Sequence, residues 1–543
     1  MIVLRIALLL GVLGATVAPA SAATDLEFFG TPAVQPAKSP AAIAVEAALV
    51  AATDRGDPLE GIVLDGVRDF YAGRGFEPLW FAAEEAPPQA VALRREMDLA
   101  GRYGLDPALY ATPHFNSRPG SEPERLAAVE VEFSRALARF VTHISSGRIR
   151  PSDISSLITL EPERPDIGDV LVQLASAPSV DEALAGYEPQ HPQYEALKAK
   201  LAELRALGPE EERIVVPEGT LLKPGISDER VPLLRKRLGL ELPAETAAES
   251  YDDLTVMAVE AFQEKNGLNV DGIIGPATLL VLNGRSREED IAAILANMER
   301  WRWMPRDLGR FHVMVNAPEF MVRVVDGGTV KHETRVIVGT PKNPTPTFSH
   351  QLSHIIVNPY WNVPLSILKN EMMPEIRADP WGYFARYGYE VLAEVGGRVR
   401  RIDPAWVDWY RVNPRALHVR QVPGDHNALG RIKFMFPNQH SVYLHDTPTK
   451  SLFERDRRAF SHGCVRVQNP MDFADAILPV GAPQWNSSRL KDLYGSQERH
   501  VNLDTQIPVH LSYFTMTVAA DGTLNRLEDI YGYDGKMTEF LGF

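Results

Sequence analysis

The sequence predicts a multidomain α+β protein: a helical scaffold, a small three-helix domain, and a mainly β domain with a capping insertion. Three observations predict it. The chain has 543 residues, room for roughly two to four domains. Apolar residues recur at helical spacing up to about residue 285; beyond about 310 they alternate or run through β-branched stretches. Between two groups of these strands, from about 365 to 435, lies an irregular aromatic-rich stretch, long for a connection within a sheet.

Residues 1–22 read as a signal peptide. Arg5 closes a short basic start, Ile6 to Val17 form an apolar run too short to span a bilayer comfortably, and Ala20-Ser21-Ala22 offers a cleavage site. The alternative is an uncleaved anchor. Residues 23–45, rich in Ala and Pro, read as a flexible lead-in. From 46 to 224 the pattern is helical: Val63, Val67, Phe70 and Tyr71 share one face, as do Leu93, Met97, Leu99 and Tyr103. Tyr194 to Leu207 continues the pattern and stops at Gly208-Pro209.

Residues 225–285 form a compact unit. Val231, Leu234 and Leu238 mark one helix, and Val256, Val259, Ala261 and Phe262 a second. A third starts at Pro276, after the glycine turns at Gly267, Gly272 and Gly275. Residues 286–309 read as a helical connector. Strands are expected at Phe311 to Val315, Phe320 to Val325, Arg335 to Val338, His354 to Val357 and Ser441 to Leu444. They place the β domain at 310–515, with the insertion at 365–435, a helix inside it at Ser366 to Ile376, and a tail at 516–543.

Net charge is -15, which argues against nucleic acid as a partner. The chain has one cysteine, Cys464. In an exported protein a lone thiol is either buried and inert or used for its reactivity. Its neighbours favour use. It stands in Ser461-His462-Gly463-Cys464-Val465-Arg466-Val467, nineteen positions after His445. A cysteine nucleophile acts as thiolate, so it needs a base such as an imidazole, a group to orient that base, and N–H donors for the oxyanion. His445 supplies an imidazole, and the backbone around Gly463 and Cys464 a place for donors. Arg466 shares a strand face with Cys464 and suits a substrate carboxylate, or else a structural ion pair. Asp446 and Asp456 can orient neighbours or remain solvated. A zinc site at His440, His445, His462 and Cys464 is the rival reading; one thiolate and no helical His pair argue against it.

These residues resemble the catalytic domain of the L,D-transpeptidase family (YkuD type), whose motif is a histidine, about fifteen residues, then Ser-His-Gly-Cys. Val338-Gly339-Thr340-Pro341, Asn358-Pro359-Tyr360-Trp361-Asn362-Val363-Pro364, Leu444-His445-Asp446-Thr447-Pro448 and Asp456-Arg457-Arg458-Ala459-Phe460 are similar to the large YcbB-like Gram-negative branch. Ala258 to Gln263 with Gly267 to Thr278 resembles a peptidoglycan-binding domain. The resemblance implies Cys464 as nucleophile, His445 as general base, and His462 and Gly463 shaping the catalytic pocket, with Ser461, Arg466, Tyr443 and Trp361 meeting substrate. It implies no metal and no organic cofactor. Gln468 stands where the family often has Asn, and His462 where the large branch often has Ser.

The implied reaction is 3→3 cross-linking of peptidoglycan stem peptides through a cysteine thioester. The alternatives are L,D-carboxypeptidase action, attachment of a protein to the wall, or an inert wall-binding protein. The implied place is the periplasm, with other cell-wall enzymes as further candidate partners and membrane contact only if residues 1–22 stay attached.

Overall fold

The computed structural model describes residues 37–53, 59–81, 86–112, 122–208, 213–241 and 248–542. The signal peptide expected at 1–22 lies outside them. The lead-in expected to reach 45 gives way to a helix at Pro40–Ala51, which Ser39 caps through its side chain to the Ala42 N–H. Among the described residues no helix is long and apolar enough to cross a membrane.

The scaffold packs around the 24-residue helix Pro123–Ser146. Val63, Val67 and Tyr71 of Glu60–Gly73 and Leu93 and Met97 of Pro88–Asp98 fill its core, as their spacing predicts. Leu99 turns outward because the helix before it ends at Asp98. Among the described residues the small domain has the α-helices Val231–Arg237, Asp253–Lys265 and Pro276–Asn283. Val216 and Leu222 belong to its core, so its packing begins before the expected boundary at 225.

The β domain opens with β1 (Phe311–Asn316), β2 (Met321–Asp326), β3 (Thr329–Gly339) and β4 (Phe348–Val357). The insertion follows with β5 (Trp361–Asn362), β6 (Tyr389–Val395), β7 (Arg398–Ile402) and β8 (His418–Gln421). The chain returns as β9 (Ile432–Met435), β10 (Leu444–His445), β11 (Ala459–Ser461), β12 (Val465–Val467) and β13 (Arg499–Ser512). Nine strands form one sheet in the order β11-β3-β12-β10-β9-β4-β13-β1-β2, and β2 also pairs with β3, so the sheet closes on itself. The insertion has its own sheet, β5-β8-β6-β7, and its own core around Ile376, Tyr383, Phe384, Trp409 and Val419.

Two segments do more than expected. The tail expected at 516–543 is structural: β14 (Met516–Val518) pairs with β15 (Leu524–Arg526), and Ile530, Tyr533, Met537 and Leu541 lie in the main core. The connector expected at 286–309 is a core helix, Arg287–Trp303, started by a capping box between Ser286 and Glu289. It packs between scaffold and sheet. Its Glu299, fully buried, accepts the backbone N–H groups of Arg148 and Ile149 and pairs with Arg302 at 3.1 Å. A second tie is a short parallel bridge from Ile158 to Thr347. The scaffold is therefore fused to the core of the β domain, and Ile149, Ile158, Tyr194 and Leu197 are shared with it.

Glu299→Ala is expected to lower stability by about 3–5 kcal/mol, the usual cost of stranding one half of a buried ion pair. Glu299→Gln, which still accepts the two N–H groups, is expected to cost less. Urea denaturation compares them; equal small losses would mean the tie is not what joins the two units.

Candidate active site

β10 is only two residues long, yet it fixes the register of the site. It pairs antiparallel with β9 and parallel with β12, setting His445 opposite Lys433 on one side and Arg466 on the other. Val465 donates its N–H to Tyr443 O at 3.1 Å, which brings Cys464 beside the start of β10. Asn438 organises the approach: its amide bonds Phe436 O and Val442 O, and its oxygen accepts from His440 N and Val442 N.

His445 is buried, and its Nδ1 sits on the carbonyl oxygen of Asp446 at 2.5 Å. A carbonyl only accepts, so Nδ1 carries the proton and Nε2 keeps a lone pair. The orienting group is thus main chain. The Asp446 carboxylate, an alternative at sequence level, faces Lys450 at 2.7 Å and the Arg431 N–H at 3.0 Å instead. Burial, reinforced by Arg466 and Lys433, pushes the His445 pKa down to about 3.

Cys464 is a free thiol. Burial raises its pKa; hydrogen bonds from Tyr443 and the charges of Lys433 and Arg466 act in the opposite direction. The Tyr443 ring meets His445 edge-on at 5.7 Å, and burial, reinforced by Cys464 whenever its sulfur ionises, holds its hydroxyl in the protonated, donating form. Cys464 and His445 are therefore both neutral at rest.

The loop before the cysteine is built tightly. Gly463 has φ +112°, a left-handed conformation that side chains resist, and a Cβ there would sit 3.4 Å from Pro344 O. Ser461 bonds inside the loop, its hydroxyl donating to Cys464 O and accepting from Gly463 N at 3.1 Å. It shapes the turn rather than reaching outward to substrate as expected. The Gly463 N–H is thus engaged, whereas the Cys464 N–H, next to the sulfur, has no partner among the described residues. Behind the loop, Thr345 donates to Gly463 O at 2.8 Å and accepts from Gly339 N at 2.9 Å, and Tyr531 donates to Gly339 O at 3.0 Å. A Cβ at Gly339 would fall 2.1 Å from Asn343 O, so only glycine fits this turn.

Of the other expected residues, His462 points away from the thiol: its Nε2 meets Glu371 of the insertion at 2.7 Å. Glu371 lies on a π-helical turn, Leu368–Met372, a distortion common at functional positions. Trp361 packs with the core of the insertion, 6.1 Å from Tyr389, and the structure does not bring it to the thiol. Arg466 forms no ion pair among the described residues, and its buried Nε has no partner. His440, a donor in the zinc reading, is bonded to Thr159 of the scaffold at 2.9 Å. Lys433, Glu371, Thr345 and Tyr531 were not legible as site residues. Lys433 alone left a trace, as a charge within the short apolar run Ile432 to Met435.

The buried histidines set the acid side of stability. His445 is pushed down to about 3 and His510 to about 4, from an ordinary 6.5. Between those values the unfolded chain binds protons that the folded chain does not. Their contribution is fully present above the unfolded value and is lost as pH falls through that window. The urea midpoint is expected to drop across it, with a shallower slope in His445→Gln; equal slopes would mean that His445 is protonated in the fold.

Three family models match the chain: a scaffold domain over residues 65–201, a "Putative peptidoglycan binding domain" over 233–282, and an L,D-transpeptidase catalytic domain (YkuD) over 310–485. A Haemophilus influenzae protein named "Putative L,D-transpeptidase" is 37% identical over 254 residues, 46% of this chain and 50% of its own. The chain therefore spans about half the length of that relative. The Bacillus licheniformis N-acetylmuramoyl-L-alanine amidase CwlL is 52% identical over 63 residues, 11% of this chain and 18% of its own. A solved L,D-transpeptidase from Mycobacterium smegmatis overlaps 37% of this chain and 58% of its own at 13% identity, with a TM-score of 0.19. Residues 310–485, which hold Cys464 and His445, thus match the L,D-transpeptidase catalytic domain (YkuD), in one chain with matches to a scaffold domain and to a putative peptidoglycan binding domain.

Proposed function

We propose that the protein is a peptidoglycan L,D-transpeptidase that forms 3→3 cross-links through a thioester on Cys464. The observation that carries the reading is the neutral His445 imidazole, locked by Asp446 O in the tautomer that leaves Nε2 free, on the strand beside a lone thiol. Substrate binding brings the carbonyl of the third stem residue to Sγ. The thiol proton passes to His445 Nε2 as the C–S bond forms, and the oxyanion turns to the Cys464 N–H. Collapse breaks the amide bond; the departing D-alanine amine takes the proton back from His445, leaving a thioester. An amine from a neighbouring stem attacks next, His445 accepts its proton, and the thiol is restored with that same proton as the new amide forms.

The insertion supports the choice of amine over water. Its core stands beside the catalytic loop, with Glu371 bonded to His462. A cap over the thioester lowers access for water. The peptidoglycan-binding domain supports peptidoglycan as the polymer on which the enzyme works. The expected location is the periplasm, where the polymer is and where the signal peptide read at 1–22 would send the chain. Other cell-wall enzymes remain candidate partners.

Purified protein incubated with disaccharide-tetrapeptide is expected to yield a dimer lacking one D-alanine by mass spectrometry, and Cys464→Ala none. Tripeptide alone would make water the acceptor. No product from any stem, with a thiol that still alkylates readily, would favour a wall-binding role.

A further inference from the structure

The strands that flank His445 carry two cations that form no ion pair among the described residues. Lys433 on β9 is registered opposite His445, and His445 opposite Arg466 on β12. Residues directly opposed in a ladder face the same side of the sheet. The row Lys433–His445–Arg466 therefore sets one cation on each side of the imidazole. The Lys433 ammonium makes no hydrogen bond or salt bridge among the described residues. Its Nζ lies 4.8 Å from the centroid of the Tyr443 ring, the ring that meets His445 edge-on.

The carboxylate that acts on it, Glu498, forms no ion pair with it. Glu498 is engaged elsewhere: Oε2 accepts the Tyr360 N–H at 2.8 Å, and Oε1 faces His500 at 3.2 Å. Burial presses the Lys433 pKa down, while Glu498 and Cys464 press it up. A half-buried ammonium with no counter-ion costs folding free energy. For packing alone, an apolar side chain such as Met would fill the same place at lower cost. An uncompensated cation at a nucleophile instead suits an anion that arrives with the substrate.

We propose that Lys433 forms a carboxylate-binding subsite that receives the terminal carboxylate of the donor peptide, the one carried off with the leaving residue. Arg466, across His445, is left for a second anionic group of the stem. The proposal rests on the transpeptidase reading. In that reaction the carboxylate sits one carbon from the departing nitrogen, so a cation beside the thiol reads the end of the donor chain. A donor one residue longer would carry its carboxylate about 3.5 Å further along an extended backbone, out of register with the ammonium. The subsite thus selects donors that end one residue past the scissile bond.

The test compares iodoacetate with iodoacetamide, two alkylating agents of nearly the same size that differ in charge, on Cys464 of the full chain. The wild-type rate ratio, relative to a small free thiol, is expected to favour the anionic reagent by about tenfold, the scale of one charge-assisted hydrogen bond. Lys433→Met and Lys433→Gln are expected to lose most of that preference and Lys433→Arg to keep it; the ratio cancels any change in thiol ionisation. With tetrapeptide donors, Lys433→Met is expected to lower kcat/KM about tenfold for the free acid and little for the C-terminal amide, again one such bond. An unchanged alkylation ratio in both neutral variants overturns the subsite, even where cross-links still form. A ratio that falls as expected, in a protein that makes no product from any stem, leaves the subsite standing and removes the transpeptidase reading instead.

Discussion

The site depends on one buried hydrogen bond, from His445 Nδ1 to the main-chain oxygen of the next residue. It needs no acidic side chain, so the base can be oriented without adding a negative charge that would hold it protonated. Burial and the flanking Lys433 and Arg466 then keep the ring neutral. The same two cations favour the thiolate of Cys464, but burial outweighs them and the thiol stays protonated. Imidazole and thiol are therefore matched as a neutral pair, and charge appears only when an electrophile engages the sulfur.

Everything around this pair serves register. A two-residue strand cannot hold itself in place; β10 is held because β9 and β12 clamp it inside a sheet that closes through β2 and β3. The Gly463 turn is held from behind by Thr345 and Tyr531, so the last segment of the chain supports a loop some seventy residues earlier in sequence. The scaffold adds rigidity through Glu299 and the bridge at Ile158. The insertion is the contrasting part. It has a separate core and reaches the catalytic loop through a contact between two exposed side chains, Glu371 and His462. Such a contact contributes little to stability and can open at small cost.

Much of this was legible in the residues. Helical spacing located Val63, Val67 and Tyr71 in a core, and the run from Ser461 to Val467 marked the thiol and its loop. What escaped has a common cause. Ser461, His462 and Trp361 were assigned by position in a motif, but whether a side chain reaches inward, sideways or outward is decided by turns and by neighbours distant in sequence. Ser461 closes its own loop, and His462 turns to a partner 91 positions earlier. The role of Tyr531 rests on contacts to Gly339 and Thr345, and no local pattern announces those. The segment from 516 looked like a tail because its apolar residues are sparse in sequence, yet Met516, Ile530 and Met537 converge on the core.

The most direct test of the neutral resting pair is the ultraviolet absorbance of the thiolate, followed against pH. Cys464 is the one cysteine in the chain, so subtracting the curve of Cys464→Ala, which keeps every tyrosine, leaves the thiolate signal alone. The account requires no thiolate at neutral pH, a transition above the ordinary thiol value of 9.0, and little change in its resting position in His445→Gln. A thiolate already present at neutral pH and lost in His445→Gln would instead show a preformed thiolate–imidazolium pair, and the account of a neutral, buried base would be wrong.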